Sequence, residues 1–463
     1  MKAVTAIGLD IGTTSVCAVL LDAQSGEVVS SVTLENDSFL TGGQPWERLQ
    51  DPGRILQICT RALEQAAGGE QPACIGITGQ MHGALYLNSC GQPLSPLYTW
   101  QDGRGDLSAG EGETYAQRLS RITGCPLATG YGAVTHYWAV QNNAVPKEAA
   151  ALCTIGDYIA LALCGGQKPV LTASNAASMG VFSREKQDFD RAALERAGIN
   201  AALFPQVVEN PTIVGRTQQG AVVCAALGDN QASFLGSVRD TGGVLLNVGT
   251  GSQISVSVSA GQPECSRPGL ERRPCLQGRD LLVGSSLCGG RAYAMLEGFF
   301  RSVATMAGIE QPPRLYDAME HCLQNAQPLT NPLRIATTFQ GTREDPSARG
   351  SIQGLCAQNF TPAHFIAGTL EGIVQELYDF FLLMQQQLPA APSCLVGSGN
   401  GVRENRALRR IAVQKFELPL RVPAHREEAS FGAALWALAA CGHFSSVGQA
   451  QGLIRYLPEE ALL

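Results

Sequence analysis

The chain has 463 residues, 45% of them apolar and 16% charged, a balance that supports a large core and excludes a disordered protein. A net charge of −7 without a Lys/Arg run excludes nucleic acid and an anionic membrane surface as expected partners. Fifteen cysteines scattered singly, with no CxxC pair, fit reduced thiols in a soluble cytoplasmic protein better than a disulfide framework or a structural zinc. The start, MKAVTAIGLD, reaches an acid before a secretory apolar region could form, and no apolar run approaches the roughly 18 residues of a membrane span.

In chain order, residues 3–21 read as strand, tight turn and strand: AVTAIGL, then DIGTT, then SVCAVLL. DAQSGEVVSSV continues as a hairpin around Ser25-Gly26. Residues 53–66 carry apolar side chains at helical spacing, and ACIGIT is a buried strand ending at Gly79. Strands and helices alternate to about residue 235, where AVVCAAL is a strand and GDNQASFLG opens a helix. At residue 242 the plan restarts, with GGVLLNV and SQISVSV as two strands around a turn. Helical stretches are expected over 289–325 and 362–388, followed by SCLVGSGNG as a strand entering a glycine turn. RENRALRRIAVQKF is an amphipathic helix, and EEASFGAALWALAACG a small-residue helix. The restart predicts two duplicated α/β domains, 1–240 and 241–463, with a ligand cleft between them.

The two restarts share a pattern. Aligning Asp10 with Asn247 puts Gly12 on Gly249, Thr13 on Thr250 and Ser15 on Ser252. Such a turn presents backbone N–H groups and hydroxyls that can surround a phosphate oxygen without a lysine. One copy is an ordinary loop, whereas two copies in a duplicated fold read as two jaws on one polyphosphate. There is no G-x-x-x-x-G-K-[ST] and no H-R-D or D-F-G set, so P-loop proteins and protein kinases are excluded. GSGNGV lacks the rest of a dinucleotide fingerprint, but its position at a strand-to-helix junction suits a base or ribose.

Two clusters suit a polyol. TGQMHG places Gln80, Met81 and His82 at a strand end, where the plain alternative is a bulge with a core Met and a bonded His. TWQDGR supplies Trp100 as an apolar wall, with Asp102 and Arg104 as acceptor and donor or as an ion pair behind the pocket. Asp229, between strand and helix, is either a helix cap or an acid aimed at a ligand.

GLDIGTTS, NVGTGS and LVGSGNG together resemble the phosphate and adenosine segments of the actin-like ATPase superfamily, whose domains have a ribonuclease H-like fold. TGQMHG, TWQDGR and LGDNQAS resemble the FGGY family of carbohydrate kinases along nearly the whole chain. The resemblance implies ATP held by Thr13, Thr14 and Ser15, by Gly249, Thr250 and Gly251, and by Gly397, Ser398, Gly399, Asn400 and Asn405. It implies Asp229 as catalytic base, and Mg²⁺ held by Asp10 with Asp229, directly or through water. A ketose would meet Gln80, Met81, His82, Trp100, Asp102 and Arg104, with Tyr131, Asn175 and Asn230 as further hydroxyl partners. ATGYGAVTHYWA, CTIGDYIALALCG, SNAASMGVFS and LCGGRAYAMLEGFF resemble the sedoheptulokinases of that family, which implies a seven-carbon ketose; xylulokinase and ribulokinase chemistry are the alternatives. An actin-like ATPase switch shares the two turns but gives no reason for the sugar-side clusters. The expected partners are therefore a small ketose and ATP, with a homodimer as the assembly if the chain assembles.

Overall fold

The computed structural model describes residues 4–461 except Thr241, 262–268, Gln277, Gln327, 343–344 and Pro389. The chain packs into two compact units. One comprises Met1–Arg239, Arg273–Arg279 and Glu427–Ile454; the other comprises Asp240–Arg272, Asp280–Arg426 and Arg455–Leu463. The break near residue 240 lies where the pattern restarts, but 273–279 and 427–454 pack with the first unit. This departs from the expected simple division into 1–240 and 241–463.

The first unit is built on the hairpin β1 (Thr5–Ile11) and β2 (Ser15–Asp22), both buried along nearly their whole length. β3 (Val28–Glu35) alternates half-buried and exposed residues, as an edge strand covered on one face does. β4 (Cys74–Gly79) lies parallel to β1, placing Thr78 beside Asp10. β5 (Ile213–Arg216) and β6 (Val222–Cys224) complete the order β5–β6–β4–β1–β2–β3. The strand expected over AVVCAAL stops at Cys224 and resumes as β7 (Leu227–Gly228), which pairs with the end of β4 at Thr78 and Gly79. Helix α1 (Pro52–Ala67) starts at Asp51, whose carboxylate accepts from the N–H groups of Gly53 and Arg54, and stops at Gly68 with φ 55°.

The second unit repeats the arrangement. β8 (Gly243–Val248) and β9 (Ser252–Ser259) form its hairpin. β10 (Leu270–Pro274), β11 (Arg279–Ser286), β12 (Cys394–Ser398) and β13 (Leu420–Arg421) give the order β10–β11–β9–β8–β12–β13. β12 runs parallel to β8 and places Ser398 beside Asn247, as Thr78 lies beside Asp10. The core strand pattern is thus duplicated residue for residue at the ends of the two central strands.

A helix from the far end of the sequence seals the first sheet. Glu428–Ala440, here α10, is apolar around most of its circumference, and Trp436 is completely buried, with its Nε1 donating to the Ala225 carbonyl at 2.9 Å. A helix without a polar face has to be enclosed, and this one lies on β1 and β4. The contact requires glycine in both strands: a Cβ at Gly8 would lie 1.7 Å from the Ser430 carbonyl oxygen, and one at Gly76 1.8 Å from that of Ala433.

Candidate active site

The first Gly-Thr turn is held from outside by its carbonyls. Asn36 Nδ2 donates to the Gly12 carbonyl at 2.9 Å, Gln50 Nε2 to that of Thr13 at 2.9 Å, and the Asn36 N–H to that of Thr14 at 2.9 Å. With its carbonyls drawn into the protein, the turn keeps its hydroxyls and amides for a ligand. Thr14 is exposed, and Gly12, Thr13 and Ser15 are half-buried. Gln80 supports the turn from behind: its Nε2 donates to Gln50 Oε1 at 2.8 Å and its N–H to the Ile11 carbonyl. Trp100 is 46% exposed and donates through Nε1 to Thr13 Oγ1 at 3.0 Å, which brings the TWQDGR loop to the first turn.

Past β4 the chain bends so sharply that His82 takes φ 72°, a left-handed backbone that non-glycine residues rarely adopt. Its Nδ1 lies 2.8 Å from the Ser178 carbonyl, and its ring stacks on Tyr131 with centroids 4.5 Å apart and planes inclined by 12°. A carbonyl can only accept, so Nδ1 carries the hydrogen and Nε2 is the acceptor of the neutral ring. Tyr131 precedes α2 (Gly132–Gln141). Met81 is buried and packs under Gly228, where a Cβ would come within 2.7 Å of its sulfur. The sugar-side loop thus touches the residue immediately before Asp229.

Two of the polar candidates are engaged within the protein, and for Asp102 and Arg104 this is the ion-pair alternative. Asp102 and Arg104 form a closed pair rather than a polyol contact. Arg104 Nε donates to Asp102 Oδ1 at 2.6 Å, and Oδ2 accepts from the Arg48 N–H at 3.1 Å and from Arg104 Nη2 at 3.2 Å. The guanidinium sits 4.2 Å from the Tyr98 ring centroid and 4.6 and 5.3 Å from those of Trp138 and Trp46. With Asp102 completely buried, both charged groups are occupied in shaping the loop that carries Trp100. Asn175 is likewise buried. Its Nδ2 lies 3.0 Å from Asp157 Oδ1, on α3 (Ile155–Leu163), and 3.3 Å from the Ala226 carbonyl, so the amide braces protein rather than a sugar hydroxyl.

The charges of Asp229 and Glu427 both act on Asp10 in this unit. Asp10 lies one residue before the end of β1, Asp229 opens α5 (Asp229–Ser237) and Glu427 precedes α10. The surrounding protein raises the Asp10 carboxyl to about 7, and the negative charges of Asp229 and then Glu427 push the same way. Burial also raises Asp229 above the ordinary carboxylate range, opposed by the nearby Arg273 guanidinium. Asp229 Oδ1 accepts from the N–H of Asn230, its buried neighbour, at 2.6 Å. Raised carboxyls under each other's influence mark this end of the first unit as a candidate site.

In the second unit the corresponding turn is tied down by backbone. The N–H groups of Gly290 and Arg291, at the start of α6 (Gly290–Met306), donate to the carbonyls of Gly249 and Thr250 at 2.8 and 3.0 Å. Gly251 accepts from the Gly249 N–H, and Thr250 is exposed at the tip. A cavity of about 680 Å³ opens beside this turn, lined by Thr250, Arg291, Tyr293, Tyr316, Glu320, Asn400, Glu404, Asn405 and Leu408 among others. That volume suits a ligand of nucleoside size. Within GSGN the roles divide. Asn400 faces the cavity, while Ser398 is completely buried and accepts from Asn247 Nδ2 at 2.9 Å. Gly397 packs under Val402, and Gly399, with φ 78°, lets the chain pass the Val248 carbonyl. The helix expected over 403–416 is broken at Asn405 into α7 (Asn400–Glu404) and α8 (Arg406–Phe416), because Asn405 Oδ1 accepts from the Leu408 N–H and caps the second piece. Tyr293, Ala294 and Tyr316 were not anticipated as lining residues. They are brought in by α6 and the helix Tyr316–Asn325, whose apolar spacing alone does not mark a cavity wall.

Fold and site together define a two-domain α/β protein with a duplicated central sheet. The model for the FGGY family of carbohydrate kinases, N-terminal domain, matches residues 5–240, and that for its C-terminal domain matches residues 273–441. The chain belongs to the FGGY family of carbohydrate kinases and is a sugar kinase, with ATP as the family's phosphate donor. It is 30% identical to sedoheptulokinase of Mus musculus over 93% of this chain and 96% of that protein, and 28% identical to the Homo sapiens sedoheptulokinase over the same shares. Its fold matches gluconate kinase from Lactobacillus acidophilus with TM-score 0.83 at 20% identity, over 99% of this chain and 95% of that one. Xylulose kinase from the same organism matches with TM-score 0.81 at 21% identity, over 99% and 94%. Among the described residues, no helix is long and apolar enough to cross a membrane.

Proposed function

We propose that the protein transfers the γ-phosphate of ATP to a terminal hydroxyl of a ketose, preferentially the seven-carbon sedoheptulose, with Asp229 as general base. The observation that carries this reading is the contact of Met81, in the loop with His82, against Gly228, which sets Asp229 beside the sugar-side loop. The choice of a seven-carbon sugar draws on the likeness to proteins named sedoheptulokinase along almost the whole chain. As the sugar oxygen attacks the γ-phosphorus, its proton passes to the Asp229 carboxylate and ADP leaves with the bridging oxygen. His82 Nε2 accepts from a sugar hydroxyl while Trp100 offers an apolar wall to a C–H face. In the second unit the adenosine takes the cavity lined by Tyr293, Asn400 and Asn405, and the Thr250 hydroxyl meets a phosphate oxygen.

Mg²⁺ fits the charge pattern. Asp10 and Asp229 present clustered negative charge, yet among the described residues no three His, Cys, Asp or Glu side chains converge to hold a metal by themselves. Mg²⁺ commonly takes one or two carboxylates and completes its shell with water and phosphate oxygens. Held by Asp10 with Asp229, it would neutralise the charge that develops on the transferred phosphoryl group.

An ADP-release assay across sedoheptulose, xylulose, ribulose, fructose and glycerol tests the substrate. Sedoheptulose is expected to give the highest kcat/KM, and a pentulose in first place would overturn that choice. Asp229→Asn should lower turnover about 10²–10⁴-fold with a modest change in sugar affinity, the scale of a positioned base. Near-normal turnover in that variant would remove Asp229 from the role.

A further inference from the structure

β7 contains only Leu227 and Gly228, so little strand pairing fixes the main chain that delivers Asp229. Side chains supply the missing constraints, and most of them come from one short helix, α4 (Ala173–Met179), and the residue before it. The Gly228 N–H donates to Ser174 Oγ at 3.1 Å, and Thr172 Oγ1 donates to the Ala226 carbonyl at 2.8 Å. The Thr172 proton is thereby committed, so in the 2.9 Å contact between the two hydroxyls Ser174 is the donor and keeps a lone pair for Gly228. Asn175 adds a bond to the Ala226 carbonyl and is itself anchored on Asp157.

One turn further along the same helix, Ser178 faces the sugar-side loop. Its Oγ accepts from the His82 N–H at 3.2 Å, its carbonyl meets His82 Nδ1 at 2.8 Å, and its hydroxyl proton goes to the Asn175 carbonyl at 2.8 Å. Ser174 and Ser178 are four residues apart and so lie on one face of the helix. We propose that α4 is a positioning brace: Ser174 fixes the backbone that presents Asp229, Ser178 fixes the strained His82, and the helix between them sets the spacing of base and sugar-binding imidazole. This rests on the reading of Asp229 as base.

The geometry gives each serine its own kinetic signature. Loosening Gly228 displaces the base from the attacking hydroxyl, and misplacement by a fraction of an ångström falls on kcat. Loosening His82 weakens binding of the sugar before any chemistry. Ser174→Ala, Ser178→Ala and Asp229→Asn are compared in steady-state kinetics with the preferred ketose and ATP, with thermal melting as the check on folding. Ser174→Ala is expected to lower kcat about 10-fold with the ketose KM within about twofold of the parent. Ser178→Ala is expected to raise the ketose KM about 5–10-fold while kcat and the ATP KM stay near the parent. Thr172→Val, nearly isosteric and outside the helix, removes the shorter of the two side-chain bonds to the Ala226 carbonyl and should repeat the kcat loss more weakly, so the first arm survives a poorly folded Ser174→Ala. A merely structural role lowers the active fraction and leaves every KM unchanged; that pattern in both serine variants overturns the proposal. So does parental kinetics in both while Asp229→Asn is inactive. If Asp229→Asn stays active, the base reading falls and takes the Ser174 arm with it, whereas the Ser178 effect on KM is read independently.

Discussion

The two Gly-Thr turns are built on the same strand pattern and differ in one decisive position: the next-to-last residue of the hairpin's first strand is Asp10 in the first unit and Asn247 in the second. Asn247 hands its amide to Ser398 Oγ and is neutral. Asp10 sits among acids and carries a carboxyl raised to about 7 by burial and by Asp229 and Glu427. The turns also differ in length and anchoring. Four residues separate the paired Ile11 and Val16, against three between Val248 and Ser252. Side chains of Asn36 and Gln50 hold the first turn, whereas backbone N–H groups at the start of α6 hold the second. The strand pattern is thus duplicated, while only the first copy carries an acid whose carboxyl is raised by its surroundings.

Making the first turn neutral like the second should have the largest effect. Asp10→Asn is expected to cut turnover about 10²-fold or more, on the scale of lost electrostatic stabilisation of a transition state. In the absence of ligand the same change should raise Tm by about 2–4 °C, since it removes a half-buried, repelled carboxyl. A variant that loses activity and stability together would make Asp10 a structural residue and erase the contrast between the turns. The converse change, Asn247→Asp, places an acid beside the second cradle and removes the bond to Ser398. It should raise the KM for ATP about 10-fold, roughly the cost of a close charge in a partly screened site. An unchanged ATP KM would show that the second turn does not meet the phosphates.

The acids also set a pH dependence of opposite sign to that of ordinary surface carboxylates. Asp10 and the buried Asp157 both titrate near 7 in the folded chain, burial being the first cause in each case. The folded protein thus retains protons that the unfolded chain releases near 3.8, and their stabilising contribution is full below that pH and lost as pH rises through 7. Thermal melts without ligand should show Tm falling between pH 5 and 8, with a shallower slope in Asp10→Asn that does not vanish because Asp157 remains. A flat parental profile would contradict the burial of both groups. The smallest effect expected is that of Trp100→Phe, which keeps the aromatic wall but loses the bond to Thr13 Oγ1. A two- to fivefold rise in KM for sugar or ATP, about the worth of one exposed hydrogen bond, would tie the loop to the first turn.

The folding of each piece was legible because neighbouring residues determine it. Alternating and continuous apolar runs announced both hairpins, and Asp229 stood out at the strand-to-helix junction. Asp102, Arg104 and Asn175 show the other side. Their polarity suggested a sugar, but Arg104 is boxed by Trp46, Tyr98 and Trp138 from three separate segments, and Asn175 is claimed by Asp157 and Ala226. No local spacing reveals which distant group will satisfy a polar side chain. The same holds for the cavity wall at Tyr293 and Tyr316, and for α10, whose apolar sequence required burial without naming the glycine-lined strands that accept it.

By itself, then, the sequence determined the duplicated strand–turn–strand plan and its two Gly-Thr turns, since these follow from backbone conformation and short-range periodicity. Tertiary structure alone decided which acids share a field, which polar groups are consumed by partners inside the protein, and that residues 427–454 pack with the first unit. Charge coupling, desolvation and close helix-to-strand packing depend on distances between segments far apart in the chain, and only the folded arrangement sets those distances.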